Sequence, residues 1–364
     1  MTSTQGLSLG GTVDVGLQAA TICPATVEVR TLTMSMLRKR VNSVKRGKDE
    51  SVKSWMKKIT HLHLEELDIT RWGQTFGANV PNLKVLYCYD NALSQVDPLP
   101  LKVELLYLQN NALPEFAFEN IFMTREQLSR LQLAATEQKS STESEDQSAA
   151  EGCSVAAAAS GGDERVEQEL VEAAKACGAE EGRRGSKSAA AEQHACSLRS
   201  LNLSGNKLES LDFSSEKFAD SSVRLPSLSW LAMSSNPYLE TLYLSGVAST
   251  LEFLDVRGCK LTTLQPTACL VNLKILHCEN NELESLQDAV ESLPTQQLTL
   301  FTVHPNPFTK SEKKYQEPLI LTAPRLEKID QRDITDTERT FLQELWRRRH
   351  ERASNESATA AAES

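Results

Sequence analysis

The 364-residue chain has no run of 18 consecutive apolar residues, so nothing in it reads as a membrane-spanning helix. Aromatic residues make up only 5% of it, and 8 cysteines are too sparse for a disulfide scaffold, which favours a reducing compartment. Positive charge is short as well: 39 Lys and Arg stand against 49 Asp and Glu, a net charge of −10. Neutralising phosphates takes clustered excess Lys and Arg, so this balance argues against nucleic acid as a partner. Residues 1–10 carry neither a basic nor an apolar leader region, position 2 is Thr, and the chain ends in Glu363-Ser364. The expectation is a cytoplasmic protein with no membrane attachment. G-x-x-x-x-G-K-[ST], a G-x-G-x-x-G following a strand and G-x-S-x-G are all missing, so no enzyme and no cofactor are expected.

What is present is a repeat, L-x-x-L-x-L-x-x-N-x-L with Asn or Cys at its ninth place. It reads Leu83, Leu86, Cys88, Asn91, Leu93; Val103, Leu106, Leu108, Asn111, Leu113; and Leu198, Leu201, Leu203, Asn206, Leu208. Four copies follow: Leu228, Leu231, Met233, Asn236, Tyr238; Leu251, Leu254, Val256, Cys259, Leu261; Leu273, Leu276, Cys278, Asn281, Leu283; and Leu298, Phe301, Val303, Asn306, Phe308. A degenerate first copy is Ile59, Leu62, Leu64, Leu67, Ile69. The starts lie 24, 20, 95, 30, 23, 22 and 25 residues apart, which apart from one gap is leucine-rich-repeat spacing.

In each copy x-L-x-L-x predicts a short strand with its leucines inward and the x residues outward. The Asn falls where the chain turns away, and its amide can satisfy turn groups that stacking would bury unpaired. The fold expected is an α/β leucine-rich repeat solenoid, curved, with parallel strands on its concave face, a helical or irregular convex side and a C-terminal cap. Cys88, Cys259 and Cys278 fall at inward or ladder places and read as small buried hydrophobes.

The expected organisation is disorder over 1–27, a basic flank over 28–58, repeats over 59–136, an acidic Ala-rich disordered insert over 137–197, repeats over 198–310, a cap and helix over 311–350 and a disordered tail over 351–364. In the flank, Val52, Trp55 and Met56 at helical spacing predict a short helix over the first repeat. In the cap, Leu319, Ile320, Leu326, Ile329 and Ile334 are placed to close the stack. A helix from Thr335 to about His350 is expected to hold Phe341, Leu342, Leu345 and Trp346 on one face. Residues 137–197 carry thirteen acids, six bases and fourteen Ala. Such a segment cannot offset its ordering entropy by burial, beyond one helix expected at Asp163–Cys177.

The segments Lys57-Lys58-Ile59-Thr60-His61-Leu62, Val85-Leu86-Tyr87-Cys88-Tyr89-Asp90-Asn91 and Leu106-Tyr107-Leu108-Gln109-Asn110-Asn111, with Asn306-Pro307-Phe308, Tyr315, Ile329-Asp330 and Glu338-Arg339, resemble the leucine-rich regulatory subunits of protein phosphatase 1, of the regulatory subunit 42 type. The resemblance covers about residues 28–348 without the insert. It implies binding of the protein phosphatase 1 catalytic subunit and association with tubulin or other cytoskeletal proteins, at microtubule-organising centres, basal bodies or cilia. The acidic insert departs from the family pattern, and the usual short phosphatase-docking motif (a basic residue, Val or Ile, any residue, then Phe or Trp) is absent. Two other readings share the repeat: a ciliary or axonemal assembly protein without phosphatase, and a spliceosomal leucine-rich protein.

The outward strand residues are the candidate protein-binding face: His61, His63, Tyr87, Tyr89, Tyr107, Gln109, Trp230, Phe253, Asp255, Arg257, His277 and His304. Three of the six Tyr and four of the six His fall there, and aromatics on rigid strands make interface anchors. His61-x-His63 with Glu65 lacks a third and fourth ligand, so no metal site is expected. The basic run from Arg38-Lys39-Arg40 to Lys45-Arg46-Gly47-Lys48 is either a contact for acidic tubulin tails or a solvated flank partnered by the chain's own acidic insert. Arg183-Arg184-Gly185-Ser186 is a weak kinase motif, and His194-x-Cys196 lies beside the insert.

Overall fold

The computed structural model describes residues 30–41, 46–134 and 194–362. The 1–27 segment, the expected helix at Asp163–Cys177 and the Arg183-Arg184-Gly185-Ser186 motif lie outside them. Eight short strands run parallel, one per repeat. They are β1 (His61–His63), β2 (Val85–Tyr87), β3 (Leu105–Tyr107), β4 (Ser200–Asn202), β5 (Trp230–Ala232), β6 (Phe253–Asp255), β7 (Ile275–His277) and β8 (Leu300–Thr302). The two-residue strands β9 (Lys328–Ile329) and β10 (Arg332–Asp333) extend the same sheet, which follows chain order throughout.

One inward row passes through the central residues Leu62, Leu86, Leu106, Leu201, Leu231, Leu254, Leu276, Phe301 and Ile329, aligned strand to strand and fully buried. Each such side chain contributes roughly 1.5–3 kcal/mol of burial. β3 pairs directly with β4, Leu106 opposite Leu201, so the long spacing between the third and fourth repeats leaves no gap in the sheet.

A second row supplies the turn. Asn236 is fully buried; its Nδ2 donates to Leu203 O (3.0 Å) and Met233 O (2.7 Å), and its Oδ1 accepts from Leu208 N (3.2 Å). Asn206 repeats this across the insert, donating to Leu108 O and Leu203 O and accepting from Leu113 N. Asn111 and Asn281 do the same, and Cys259 makes one thiol contact of this kind with Met233 O. Except at Asn306, which follows Pro305, the residue before each ladder position has a left-handed backbone: Glu66, Asp90, Asn110, Gly205, Ser235, Gly258 and Asn280, with φ from 54° to 68°. None of these is β-branched, as that conformation requires.

The convex side is irregular. It uses short helices such as Phe76–Asn79, Ser215–Asp220 and Leu286–Glu291, 3-10 turns at Ser245–Val247 and Gln265–Thr267, and two-stranded parallel pairs such as Ser210–Asp212 with Thr241–Tyr243. Around the insert, Phe116, Phe118, Phe213 and Phe218 form a cluster of edge-on and tilted rings with centroids 4.5–6.4 Å apart.

At the start, Thr33 caps a helix Met34–Arg40 that buries Leu37, and Ser51 caps the expected short helix, Val52–Met56, which buries Trp55 and Met56. After the last repeat, helix Gln316–Thr322 buries Leu319 and Ile320. Its last carbonyls are met by the Arg339 guanidinium, which donates to Ile320 O (2.8 Å), Ala323 O (3.1 Å) and Leu326 O. Asp330 takes the place of a ladder residue, accepting from Val303 N and His304 N and from the Tyr315 hydroxyl (2.6 Å).

Four expectations are corrected. Residues 194–197, assigned to the disordered insert, are ordered: His194–Ala195 pairs with Val223–Arg224, and Cys196 is buried among the repeats' apolar residues. Tyr238, read as an inward repeat position, is 54% exposed because Leu239 fills the core beside it. In the terminal helix Leu342 is the one side chain buried among those described, and Leu345 is half-buried; Phe341 and Trp346 are 64% and 52% exposed, because the contacts with the body run through Leu342, Arg339 and the Glu338–Arg332 ion pair. The tail expected to be disordered continues that helix, Asp336–Ala362, since this stretch has neither Gly nor Pro to stop it and Arg347 bridges Glu344 and Glu351.

Candidate functional site: the concave face

Because the strands share one register, their outward side chains form columns about 4.8 Å apart, a separation at which flat rings stack. In the third-residue column His63, Tyr87 and Tyr107 stand in line. The His63 and Tyr87 rings lie 4.5 Å apart at 11°, and Tyr87 and Tyr107 lie 5.0 Å apart at 1°. Further along, Trp230 stacks on Phe253 (4.9 Å, 9°), and Phe253 meets His277 edge-on (5.6 Å, 64°). Between the two stacks lies one polar strand with Ser200 and Asn202, followed by the Ser204–Ser234 hydrogen bond (3.0 Å).

The polar side chains at the C-terminal ends of the strands are mostly tied to one another. Arg257 grips Asp255 with two hydrogen bonds, Nε to Oδ1 at 2.9 Å and Nη2 to Oδ2 at 2.7 Å. Glu65 sits 3.4 Å from His63 Nδ1 and 3.8 Å from the Arg40 guanidinium. His277 shares a 2.7 Å hydrogen bond with Thr302, and burial holds its imidazole below the ordinary histidine pKa. His304 hydrogen-bonds Thr309.

Burial pushes the thiols up, Cys196 to about 12 and Cys259 to about 11, and Cys278 well above its ordinary value, so each is held as an inert thiol. Among the described residues no three His, Cys, Asp or Glu side chains gather as metal ligands.

The family model described as Leucine Rich Repeat matches residues 197–219, the copy on which the chain resumes after the insert. That copy has the same strand, Asn ladder and left-handed turn as its neighbours. The chain is a leucine-rich repeat solenoid. Among solved structures it is similar to a chain of the Drosophila melanogaster SNF/U2A′ complex, at 22% identity over 41% of this chain and 68% of that one, with a TM-score of 0.25. It is also similar to a leucine-rich repeat protein of Leptospira interrogans (17% identity, 76% of this chain and 50% of that one, TM-score 0.36). A third is internalin C2 of Listeria monocytogenes (14% identity, 82% and 92%, TM-score 0.36). No curated protein matches in sequence.

Within the solenoid, the residues selected from the sequence as outward do not form one patch. His63, Tyr87 and Tyr107 make the first stack, with His61, Tyr89 and Gln109 beside it, and Trp230, Phe253 and His277 make the second. Asp255 is the exception in exposure: it is 4% accessible beneath Arg257, so it positions that guanidinium and offers no contact area of its own. His304 lies at the far end, exposed beside Asp330. Stacking between neighbouring repeats was not foreseen from the sequence. The signal was there, since Tyr87 and Tyr107, like Trp230 and Phe253, hold equivalent places in consecutive copies.

Proposed function

We propose that the solenoid is a non-catalytic interaction scaffold that docks a partner protein in its concave face, and that the partner is a catalytic subunit of protein phosphatase 1, held at the microtubule cytoskeleton. The observation carrying the scaffold reading is the pair of aromatic stacks on rigid strands, Tyr87–Tyr107 and Trp230–Phe253, side chains of the kind that anchor interfaces. The unbroken sheet across the insert leaves one continuous concave surface for a partner to span. The phosphatase assignment is supported by the sequence resemblance in the second and third repeats. With the short docking motif absent, binding would have to use this face.

The test is calorimetric titration of the full chain with purified phosphatase catalytic subunit, alongside the Tyr87→Ala/Tyr107→Ala/Trp230→Ala variant. Saturable binding weakened by about 2 kcal/mol or more in the variant is expected. Absence of binding by the parent removes the phosphatase and leaves the scaffold. Undiminished binding by a folded variant moves the site off the concave face. Co-sedimentation with microtubules tests the location separately.

A further inference from the structure

A second feature lies at the sheet margin where the insert leaves and rejoins the body. Here the loops that precede the strands of the first three repeats, the segment Met123–Leu128 and the returning residue His194 enclose a groove of about 540 Å³. Its floor is apolar, with Pro100 and Leu128 buried. Its rim is cationic: Lys57, Lys102 and Arg125 come from three separate segments and are all exposed. None of the three makes an ion pair among the described residues, although Lys84 in the same repeats is paired with Glu104 at 2.8 Å. Lys102 donates only to the neutral Asn82 side chain (2.9 Å). Glu126 is the one acid on the rim, so the charged side chains lining the groove sum to +2.

The chain between the two described ends, residues 135–193, holds thirteen acidic and six basic residues. From 140 to 164 it has no Lys or Arg, and Glu143, Glu145, Asp146 and Glu151 fall there. The nine residues from 134 to 143 reach about 30 Å when extended. That exceeds the roughly 15 Å by which the helix over 125–134 carries the chain away from Arg125. A segment tethered beside an oppositely charged groove is present at millimolar effective concentration, on the order of what weak ionic contacts need to be populated. We propose that the acidic stretch 143–151 of the chain's own insert docks in this groove, its carboxylates meeting Lys57, Lys102 and Arg125.

The test is zero-length carbodiimide cross-linking of the full chain, read by mass spectrometry, with unlabelled and isotope-labelled protein mixed. Cross-links from the Lys57 or Lys102 amine to Glu143, Glu145, Asp146 or Glu151 within one chain are expected at low salt. They should weaken at high salt, as screened contacts do. Arg125→Glu keeps both reactive amines and reverses one attracting charge, so the yield should fall by about threefold or more. Absence of these cross-links in the parent, a yield unchanged by Arg125→Glu, or cross-links found only between labelled and unlabelled chains would each overturn the proposal, the last by making a second copy the donor of the acidic stretch.

Discussion

On the concave side, strands β1 to β8 keep a single register from Leu62 to Phe301, whereas on the convex side the same repeats connect through helices, 3-10 turns or paired strands of differing length. The difference follows from what each side must satisfy. Concave backbone groups bond to the next repeat at fixed spacing, and the Asn row ties each turn to the previous one, so a shift at one repeat would propagate to all. The convex side has only to fill space behind the leucines, and many backbone routes do that. A substitution should therefore cost most where the ladder is cut and less where only one convex connection is disturbed.

The largest expected effect is from Asn236→Leu. It leaves Leu208 N without its acceptor in a dry interior and takes one donor each from Leu203 O, which keeps Asn206, and Met233 O, which keeps the Cys259 thiol, at about 3 kcal/mol in all. Urea unfolding measures it, and a loss below 1 kcal/mol would mean the ladder is dispensable.

Gly246→Ala probes the convex side. A Cβ there would stand 2.0 Å from the Phe218 ring and 2.8 Å from Phe213 O, so the aromatic cluster must shift. Overpacking of this kind costs about 1–3 kcal/mol. A cost as large as that of the ladder substitution would erase the contrast between the two sides.

Removing residues 140–190 spares the His194–Ala195 strand and Cys196, which deletion through 195 would have damaged. Shortening the loop lowers its closure entropy, so thermal unfolding should move upward, by no more than about 2 kcal/mol in stability. A clear loss of stability would place the insert among the packed elements.

The smallest effect concerns pH. Burial keeps the His277 pKa below that of the unfolded chain, so as pH falls below the ordinary histidine range the unfolded state takes up the proton first. The stability contributed by neutral His277 is complete above that range and is lost on acidification. For this half-buried ring the loss is on the order of a few tenths of a kcal/mol. His277→Phe, which keeps a ring beside Phe253, should flatten this slope in parallel urea titrations, and an unchanged slope would assign it to other groups.

Much of this architecture is written in the repeat itself. Leu201 and Leu203 alternate across a strand, and Asn206 follows where an amide is needed, so the inward rows and the ladder can be read without coordinates. The outward columns can be listed the same way, since period 2 leaves those residues no other face. The interior of Cys88, Cys259 and Cys278 follows from the same count. What the repeat pattern does not announce is the left-handed residue before every ladder Asn but Asn306. Asp90, Asn110, Gly205, Ser235 and Asn280 share no single residue type, only tolerance of one backbone conformation.

The tertiary structure decided matters that a one-dimensional pattern does not carry. That repeats three and four join depends on Leu106 meeting Leu201, which the intervening chain neither requires nor forbids. That Asp255 is buried while Tyr238 is exposed depends on neighbours, Arg257 in one case and Leu239 in the other. Phe341 and Trp346 have the spacing of a buried face, yet the last helix meets the solenoid through Glu338, Arg339 and Leu342 and leaves both rings exposed. Sequence periodicity determines which side of its own strand or helix a residue occupies. Whether another element arrives to cover that side is set by packing between distant segments, and so are the stacking of Tyr87 on Tyr107 and the placing of Lys57 and Arg125 along one groove.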